Sequence, residues 1–283
     1  MTDKPRFYLL AGINGAGKST FYNERLSSLR LPFINADVIA KEIDPQNNSH
    51  SDAISLKAQK LANERRDDFL KQKKSFVSET VFSHPSKIDL LHQAKQAGFL
   101  TILVFINLPS VEETIQRIKF RVGKGGHNVP TDKVLARYPR VMENISTAKS
   151  VADQFFVFDN LRLDQAHNFV MHLREGVIQR VSDYQPKWSQ KLFSHEYQVE
   201  QSYKILEPVR RSIVSKIKEG LSFHEAVQKV VPILDCSKIQ KEVLAQLCQK
   251  FNPILKPELT LRPKEYQALT VRPTTQNFSR PKI

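Results

Sequence analysis

The sequence has little cysteine and no long apolar run, and each shortage excludes a class of protein. Its two cysteines, Cys236 and Cys248, are too few for a disulfide framework or a cysteine metal site, and buried free thiols are the expected state. No stretch approaches the roughly eighteen consecutive apolar residues of a membrane-spanning helix. The amino terminus enters a strand-like segment without a signal-peptide pattern. We therefore expect a cytoplasmic protein with no membrane partner.

Acidic residues are outnumbered by basic ones. The chain has 43 Lys and Arg against 29 Asp and Glu, a formal net charge of +14. This balance favours anionic partners, whether nucleotides, sugar phosphates or nucleic acid, although a solvated basic surface explains it equally well. Hydrophobic residues make up 40% and charged residues 25%, which argues against a disordered or fibrous protein.

Up to about residue 160, short apolar runs alternate with segments of helical period, which predicts an α/β fold with a parallel sheet flanked by helices. Gly98 fits the left-handed end of a helix, and Ser110 to Glu113 form a capping box that predicts the start of another. Five strands are predicted: Phe7–Ala11, Phe33–Ala36, Phe76–Ser78, Thr101–Ile106 and Phe155–Phe158.

After residue 160 the pattern changes. Phe169–Leu173 and Val177–Val181 flank Arg174-Glu175-Gly176 and predict a hairpin. Helical patterns follow around Val209–Lys218, Phe223–Val230 and Ile239–Phe251, and prolines then punctuate a segment of little periodicity. The predicted organisation is a kinase domain over residues 1–165, a mainly helical extension over 166–260, and a basic, disordered tail over 261–283.

The strongest motif runs from Gly12 to Ser19, Gly-Ile-Asn-Gly-Ala-Gly-Lys-Ser, and matches a phosphate-binding loop (P-loop) between a strand and a helix. Its glycines let backbone amides close around phosphate, Lys18 adds a positive charge, and the Ser19 hydroxyl can bind Mg²⁺. ATP and Mg²⁺ are therefore the predicted cofactors. The predicted nucleotide contacts are Gly12, Asn14, Gly15, Ala16, Gly17, Lys18, Ser19 and Thr20.

Polar residues follow two other predicted strands. Asp37 follows the second strand, while Glu79 and Thr80 follow the third, so all three should lie at the carboxyl edge of the sheet, where α/β folds bind ligands. A carboxylate there can take the proton of an attacking substrate hydroxyl. Asp37 can instead be a metal ligand or a helix cap, and Glu79 can cap the strand end.

A basic, glycine-rich segment follows the fourth strand. Arg117 and Arg121 lie one turn apart, residues 123–130 form a flexible loop, and Arg137 and Arg140 come after it. Mobile arginines that close over phosphates are what phosphoryl transfer needs, so a lid is predicted. A solvated helix face is the alternative for each arginine. Pro139 is expected to kink or interrupt any helix here.

The fourth predicted strand, Thr101–Ile106, contains no acidic residue. The second magnesium carboxylate of many ATPases is therefore missing from it. This argues against a motor or switch ATPase and suits a small kinase in which Asp37 or water completes the metal shell.

With these pieces assembled, the chain resembles the zeta-toxin family of P-loop kinases over roughly residues 6–160. The resemblance rests on the P-loop, Asn35 to Asp37, Ser78 to Thr80 followed by Phe82 to Pro85, and Arg121 leading into Gly125 to Pro130. It implies a five-stranded parallel sheet and phosphorylation of UDP-N-acetylglucosamine on the amino-sugar hydroxyl, as in the best-known members.

The same resemblance implies roles for single residues. Lys18 and Ser19 would hold ATP and magnesium, Asp37 would be the base, and Arg121 and Arg137 would stabilise the transferred charge. Because the spacing between these arginines is longer than in the best-known members, Arg140 stays an alternative to Arg137. The acceptor contacts would be Glu79, Thr80, His127 and Asn128.

Three functions are consistent with the sequence. The first is a kinase that acts on a small acceptor such as a nucleotide sugar, and that serves as a toxin with an antitoxin or other protein partner. The second is a kinase for nucleic-acid ends, suggested by the basic charge but not favoured. The third is an ATP-binding module that contacts a protein and has weak or no catalysis.

Overall fold

A seven-stranded sheet forms the centre of the chain in the computed structural model, which describes residues 4–45, 52–123, 129–161, 167–205, 207–230 and 263–270. The strand order is β2-β3-β1-β4-β5-β6-β7. The strands are β1 (Arg6–Ala11), β2 (Phe33–Ile34), β3 (Phe76–Thr80), β4 (Leu100–Asn107), β5 (Gln154–Asp159), β6 (Asn168–Arg174) and β7 (Val177–Val181).

The first five strands are parallel, which confirms the predicted α/β class. Every residue of β1, β4 and β5 is buried, as expected for parallel strands covered on both faces. β2 is shorter than predicted, because Asn35 leaves the strand and caps the next helix through its side chain. β3 is longer than predicted and continues to Thr80.

Helices connect and cover these strands. A first helix, α1 (Lys18–Phe21), continues as a π-helical turn (Tyr22–Leu26) and a 3₁₀ turn (Ser27–Leu29). The others are α2 (Ala36–Ile43), α3 (Asp52–Lys71), α4 (Ser86–Gln96), α5 (Val111–Gly123), α6 (Thr131–Ala148), α7 (Lys187–Leu192), α8 (Ser194–Ile205), α9 (Glu207–Lys218), α10 (Phe223–Val230) and α11 (Pro263–Thr270).

Several helix predictions can be compared with this result. The Ser110 hydroxyl accepts a hydrogen bond from the Glu113 amide at the start of α5, and Gly98 has a φ of +86° after α4, so both predicted ends are confirmed. Pro139 does not interrupt α6, which runs through it, and the alternative of a kink there stays a prediction. Proline removes only one backbone donor, and burial of residues such as Val134 and Ile145 against the core offsets that loss. The predicted helix Ile239–Phe251 lies outside the described residues.

The strand register defines the two faces of the sheet. Ser78, Leu9, Leu103 and Phe155 are successive partners across four strands and therefore point to the same face. Phe193, at the end of α7, packs on Phe155 on this face. The next residue, Phe156, points to the other face and contacts Tyr266 of α11.

The hairpin extends the sheet beyond the five strands that the sequence predicted. β6 pairs antiparallel with β5, and β7 pairs antiparallel with β6, so the predicted count of five is corrected to seven in the described part of the chain. The predicted domain boundary at residue 165 remains a prediction, but the sheet itself continues to Val181. The reason is that the edge of β5 would otherwise present unpaired backbone groups.

Asp159 joins the end of β5 to the segment after the hairpin. Its fully buried carboxylate accepts hydrogen bonds from the Tyr184 hydroxyl and the Trp188 indole, both at 2.8 Å. Trp188 also packs edge-on against Phe105 of β4. The chain after β7 is therefore held against the centre of the sheet.

Part of the predicted disordered tail is folded. Residues 263–270 form α11, whose Leu269 is completely buried, and Glu265 makes an ion pair of 2.5 Å with Arg6 of β1. Both charged side chains are almost wholly buried, so the expectation of a disordered tail is wrong for this helix. Residues 271–283 lie outside the described residues.

The longest helices of the described chain carry too many polar residues to cross a lipid bilayer, and none qualifies as a membrane span.

Candidate active site

The P-loop lies between β1 and α1 and is held close to neighbouring strands. A side chain at Gly12 would place its Cβ 2.2 Å from the Ile106 carbonyl oxygen of β4. Gly17 has a φ of +93°, a conformation that other residues rarely adopt, and it caps α1. Only glycine fits at these two positions, so the loop can bring its amides to the edge of the sheet.

Lys18 is buried beneath this loop, with 6% of its surface exposed. Its ammonium donates a hydrogen bond of 3.0 Å to the Ile13 carbonyl and lies 3.8 Å from Glu79 Oε1. Burial lowers the pKa of Lys18, the charges of Glu79 and Asp37 raise it, and that of Arg121 lowers it. Four predicted site residues therefore act on one another across the P-loop.

Glu79 lies at the P-loop instead of facing only the acceptor side. Its Oε2 accepts hydrogen bonds from the Ser19 hydroxyl and the Asn35 side-chain amide, both at 2.8 Å. This contact arises because β3 is the direct neighbour of β1 in the sheet. The sequence could not show that neighbour relation, and the predicted metal site named Ser19 alone.

A hydroxyl and a carboxylate oxygen at this separation fit a magnesium site. Mg²⁺ prefers hard oxygen ligands and commonly takes one or two protein groups, with phosphates and water supplying the rest. Ser19 and Glu79 provide such a pair beside the loop that would hold the phosphates. The residues present are therefore chemically suited to the ion.

Asp37 lies in the first turn of α2, and its side chain is exposed. Its amide donates a hydrogen bond of 2.7 Å to Asn35 Oδ1, so Asn35 and not Asp37 caps the helix. In the described part of the chain, the Asp37 carboxylate makes no hydrogen bond. Thr80 Oγ1 accepts a hydrogen bond of 3.3 Å from the Phe82 amide.

The basic residues of the predicted lid differ in where they lie. Arg137 of α6 donates a hydrogen bond of 3.1 Å to Asn14 Oδ1 in the P-loop, and Arg117 donates to the Asn160 carbonyl. Arg140 is exposed, and its one hydrogen bond to a described residue is to the Ala136 carbonyl of its own helix. This geometry favours Arg137 over Arg140. His127 and Asn128 lie outside the described residues.

Two residues that the sequence analysis missed contact backbone carbonyls of the P-loop. Asn160 Nδ2 donates to the Ala16 carbonyl at 2.8 Å, and His167 Nε2 lies 3.0 Å from the Gly17 carbonyl. A Cβ on Gly17 would lie 2.3 Å from Asn160 Nδ2. Asn160 directly follows β5, the placement that singled out Asp37 and Glu79, whereas nothing in the sequence pointed to His167.

The surroundings of His167 favour its neutral form. Burial lowers its pKa to about 4, the hydrogen bond with Gly17 raises it, and the charges of Arg25 and Arg117 lower it. A carbonyl only accepts hydrogen bonds, so the neutral ring donates from Nε2 to Gly17. Arg25 also donates to the His167 carbonyl at 3.1 Å, which fixes the segment behind the loop.

Known proteins resemble this chain in sequence. Residues 8–145 match a family model described as an AAA domain. An uncharacterised protein of Haemophilus influenzae is 36% identical over 138 residues, which span 49% of this chain and 94% of that protein.

Two solved structures resemble the fold. A chain of the AvrRxo1-ORF1:AvrRxo1-ORF2 structure with sulphate ions has a TM-score of 0.54 at 17% identity, covering 68% of this chain and 63% of that one. A chain of the PezAT toxin–antitoxin structure from Streptococcus pneumoniae has a TM-score of 0.45 at 11% identity, covering 90% and 88%. At 17% identity, the likeness to the AvrRxo1-ORF1:AvrRxo1-ORF2 structure concerns the fold alone.

Proposed function

Because this chain belongs to one family with the Haemophilus influenzae protein and contains a P-loop kinase-like domain, we propose that it transfers the γ-phosphoryl group of ATP to a hydroxyl group of a small acceptor. The observation that carries the proposal is the contact of Ser19 with Glu79 beside the buried Lys18. This contact brings the P-loop, a cation and a pair of oxygen atoms suited to a metal ion together at one edge of the sheet.

The P-loop is the proposed phosphate site. Backbone amides from Asn14 to Ser19 would donate hydrogen bonds to the phosphates of ATP, and the Lys18 ammonium would exchange its bond with the Ile13 carbonyl for a phosphate oxygen. Asn160 and His167 hold the carbonyls of Ala16 and Gly17, which leaves the amides of the loop directed toward the ligand.

Ser19 and Glu79 are the proposed ligands of Mg²⁺. The ion, when bound, neutralises charge on the β- and γ-phosphates. Asn35 donates to the same Glu79 oxygen as Ser19 and so orients the carboxylate before the ion binds.

Asp37 is the proposed general base. The acceptor hydroxyl gives its proton to the Asp37 carboxylate, its oxygen forms a bond with the γ-phosphorus, and the bond to the bridging oxygen breaks to release ADP. Arg137 reaches the P-loop through Asn14 and is placed to stabilise the charge of the transferred group, together with Arg121.

A nucleotide sugar such as UDP-N-acetylglucosamine is the proposed acceptor, supported by the zeta-toxin motifs from Asn35 to Pro130. A toxic role with an antitoxin or other protein partner rests on the same support. These finer assignments depend on sequence motifs, whereas the phosphoryl-donor site depends on the geometry above.

The test is incubation of the purified protein with γ-labelled ATP and a panel of nucleotide sugars, nucleosides and oligonucleotides. We expect label on one class of small acceptor and its loss in Lys18→Ala, with Lys41→Ala on the exposed surface of α2 as the matched control. Binding of ATP with no transfer to any acceptor would contradict the proposal and support a binding module.

A further inference from the structure

Arg66 of α3 is a buried cation with neutral partners. Its side chain reaches the sheet, where the guanidinium donates a hydrogen bond of 3.2 Å to Ser78 Oγ of β3 and a second bond to Asn63 Oδ1. Only 7% of Arg66 is exposed. Several other cations with a largely buried partner are bound to carboxylates, as in Arg6 with Glu265, Lys95 with Asp153 and Lys149 with Glu196.

A second cation, Lys87, lies within electrostatic range of Arg66. Lys87 is in the first turn of α4 and is half-buried. Burial lowers its pKa, and the positive charge of Arg66 lowers it further, so the two charges repel each other. Burial also lowers the pKa of Arg66, while the charge of Asp67 raises it. Among the described residues, neither Arg66 nor Lys87 makes an ion pair.

This arrangement is costly unless an anion joins it. A buried charge without an opposite charge loses its hydration and gains little in return, and a second cation nearby increases the penalty. Asp67 is exposed and makes no ion pair with either side chain, so it does not supply the missing contact. Arginine and lysine together are the groups that proteins use to bind phosphate or carboxylate.

The positions of Arg66 and Lys87 in the fold connect them with the residues predicted to contact the acceptor. Ser78 directly precedes Glu79, and Thr80 points to the same face of β3 as Ser78 because side chains alternate along a strand. Lys87 lies in the first turn of the helix that follows the carboxyl end of β3. Arg66 therefore reaches the face of β3 opposite Glu79, and Lys87 lies shortly after the strand end that carries Glu79 and Thr80.

We propose that Arg66 and Lys87 form a subsite for an anionic group, a phosphate or carboxylate, of the acceptor. The proposal rests on the kinase function above and restricts the class of acceptors. Acceptors with an anionic group bind in preference to neutral alcohols of similar size. The reacting hydroxyl and the anionic group are then held by different parts of the site, Asp37 and the Arg66–Lys87 pair.

The direct test uses inorganic pyrophosphate as the probe. Binding is measured by calorimetry with the P-loop saturated by magnesium and a non-hydrolysable ATP analogue, so that the P-loop cannot take the probe. We expect binding to the native protein and a loss of affinity of about tenfold in Lys87→Gln. Lys74→Gln, at an exposed position before β3, is the matched control and should bind normally.

A second measurement separates this subsite from a structural role. Arg66→Lys keeps the positive charge and changes only the geometry of the side chain. Arg66→Gln removes the charge and can unfold the protein. Circular dichroism therefore first checks that both variants are folded. In kinetic assays with phosphorylated, carboxylated and neutral alcohols, Lys87→Gln should raise KM about tenfold for the anionic acceptors and leave KM for ATP unchanged.

Three outcomes overturn the subsite: no pyrophosphate binding by the native protein, equal affinity of Lys87→Gln and Lys74→Gln, or a preference for neutral acceptors. If no acceptor of any kind is phosphorylated, the kinase proposal fails by itself. The pyrophosphate titration still decides the subsite in that case.

Discussion

Two carboxylates at the carboxyl edge of the sheet have different surroundings. Glu79 accepts hydrogen bonds from Ser19 and Asn35, whereas the exposed Asp37 carboxylate accepts none from the described residues. A carboxylate with two donors is oriented and suited to a metal ion, and one without donors is available to take a proton. Substitutions of Glu79 and of Asp37 should therefore impair activity in different ways.

Asp37→Asn should retain ATP affinity and lower the transfer rate by about 10²–10⁴-fold, because an amide fills the same space but cannot take the proton. Glu79→Gln should instead raise the magnesium concentration needed for half-maximal activity. Initial rates measured against ATP and against magnesium distinguish the two variants. The assignment is wrong if Asp37→Asn stays within about threefold of the native rate, or if the two variants show the same defect.

Helices of the predicted lid and of the carboxyl-terminal region are held by contacts between residues distant in sequence. α6 brings Arg137 to Asn14, and α11 brings Glu265 to Arg6 in β1. Because β1 leads directly into the P-loop, α11 contributes to the element that supports the nucleotide site. Loss of α11 should therefore lower the free energy of unfolding of the protein.

Glu265→Gln should lower the free energy of unfolding by on the order of 3–5 kcal/mol, because it leaves the Arg6 charge buried without its partner. Glu219→Gln is the matched control: its ion pair with Lys216 is 40% and 49% exposed, and such pairs contribute at most about 1 kcal/mol. Urea unfolding measures both variants. Equal small effects would mean that α11 does not stabilise the sheet.

At the scale of the whole molecule, the sheet cannot be divided after residue 165 without losing β6 and β7. Such a truncation also removes the Tyr184 and Trp188 donors and leaves the buried Asp159 carboxylate without them. The residues that support the P-loop from behind include His167, which lies after this point. The carboxyl-terminal region thus contributes to the structure that holds the P-loop.

Buried histidines make the stability of the whole molecule depend on pH. Burial lowers the pKa of His172 to about 3, and the charges of Arg174 and Arg180 lower it as well. Below its usual value of 6.5 the unfolded chain takes up a proton that the folded protein does not, so stability falls as the pH falls. His167, with a pKa of about 4, acts in the same direction.

His172→Gln should reduce this acid sensitivity. Between pH 7 and pH 5 the native protein should lose about 2 kcal/mol more stability than the variant, since each pH unit below 6.5 costs about 1.4 kcal/mol for one such group. Urea unfolding at both pH values gives the difference. His92→Gln, at an exposed position of α4, should behave like the native protein, and a His172 variant with unchanged sensitivity would show that the ring is protonated when folded.

Local sequence patterns predict the features that lie within a few neighbouring residues. The P-loop, the Ser110 capping box, the hairpin around Gly176 and the parallel class of the sheet all follow from local patterns, because glycine conformation, side-chain capping and strand periodicity act over short distances. The tertiary structure decided which distant residues meet. Ser19 and Glu79 are 60 residues apart, and Gly17 and His167 are 150 apart. Strand order brings the first pair together, and packing of the chain after β5 brings the second. No local pattern encodes either one, since a strand or loop has the same sequence signal whichever neighbour it finds.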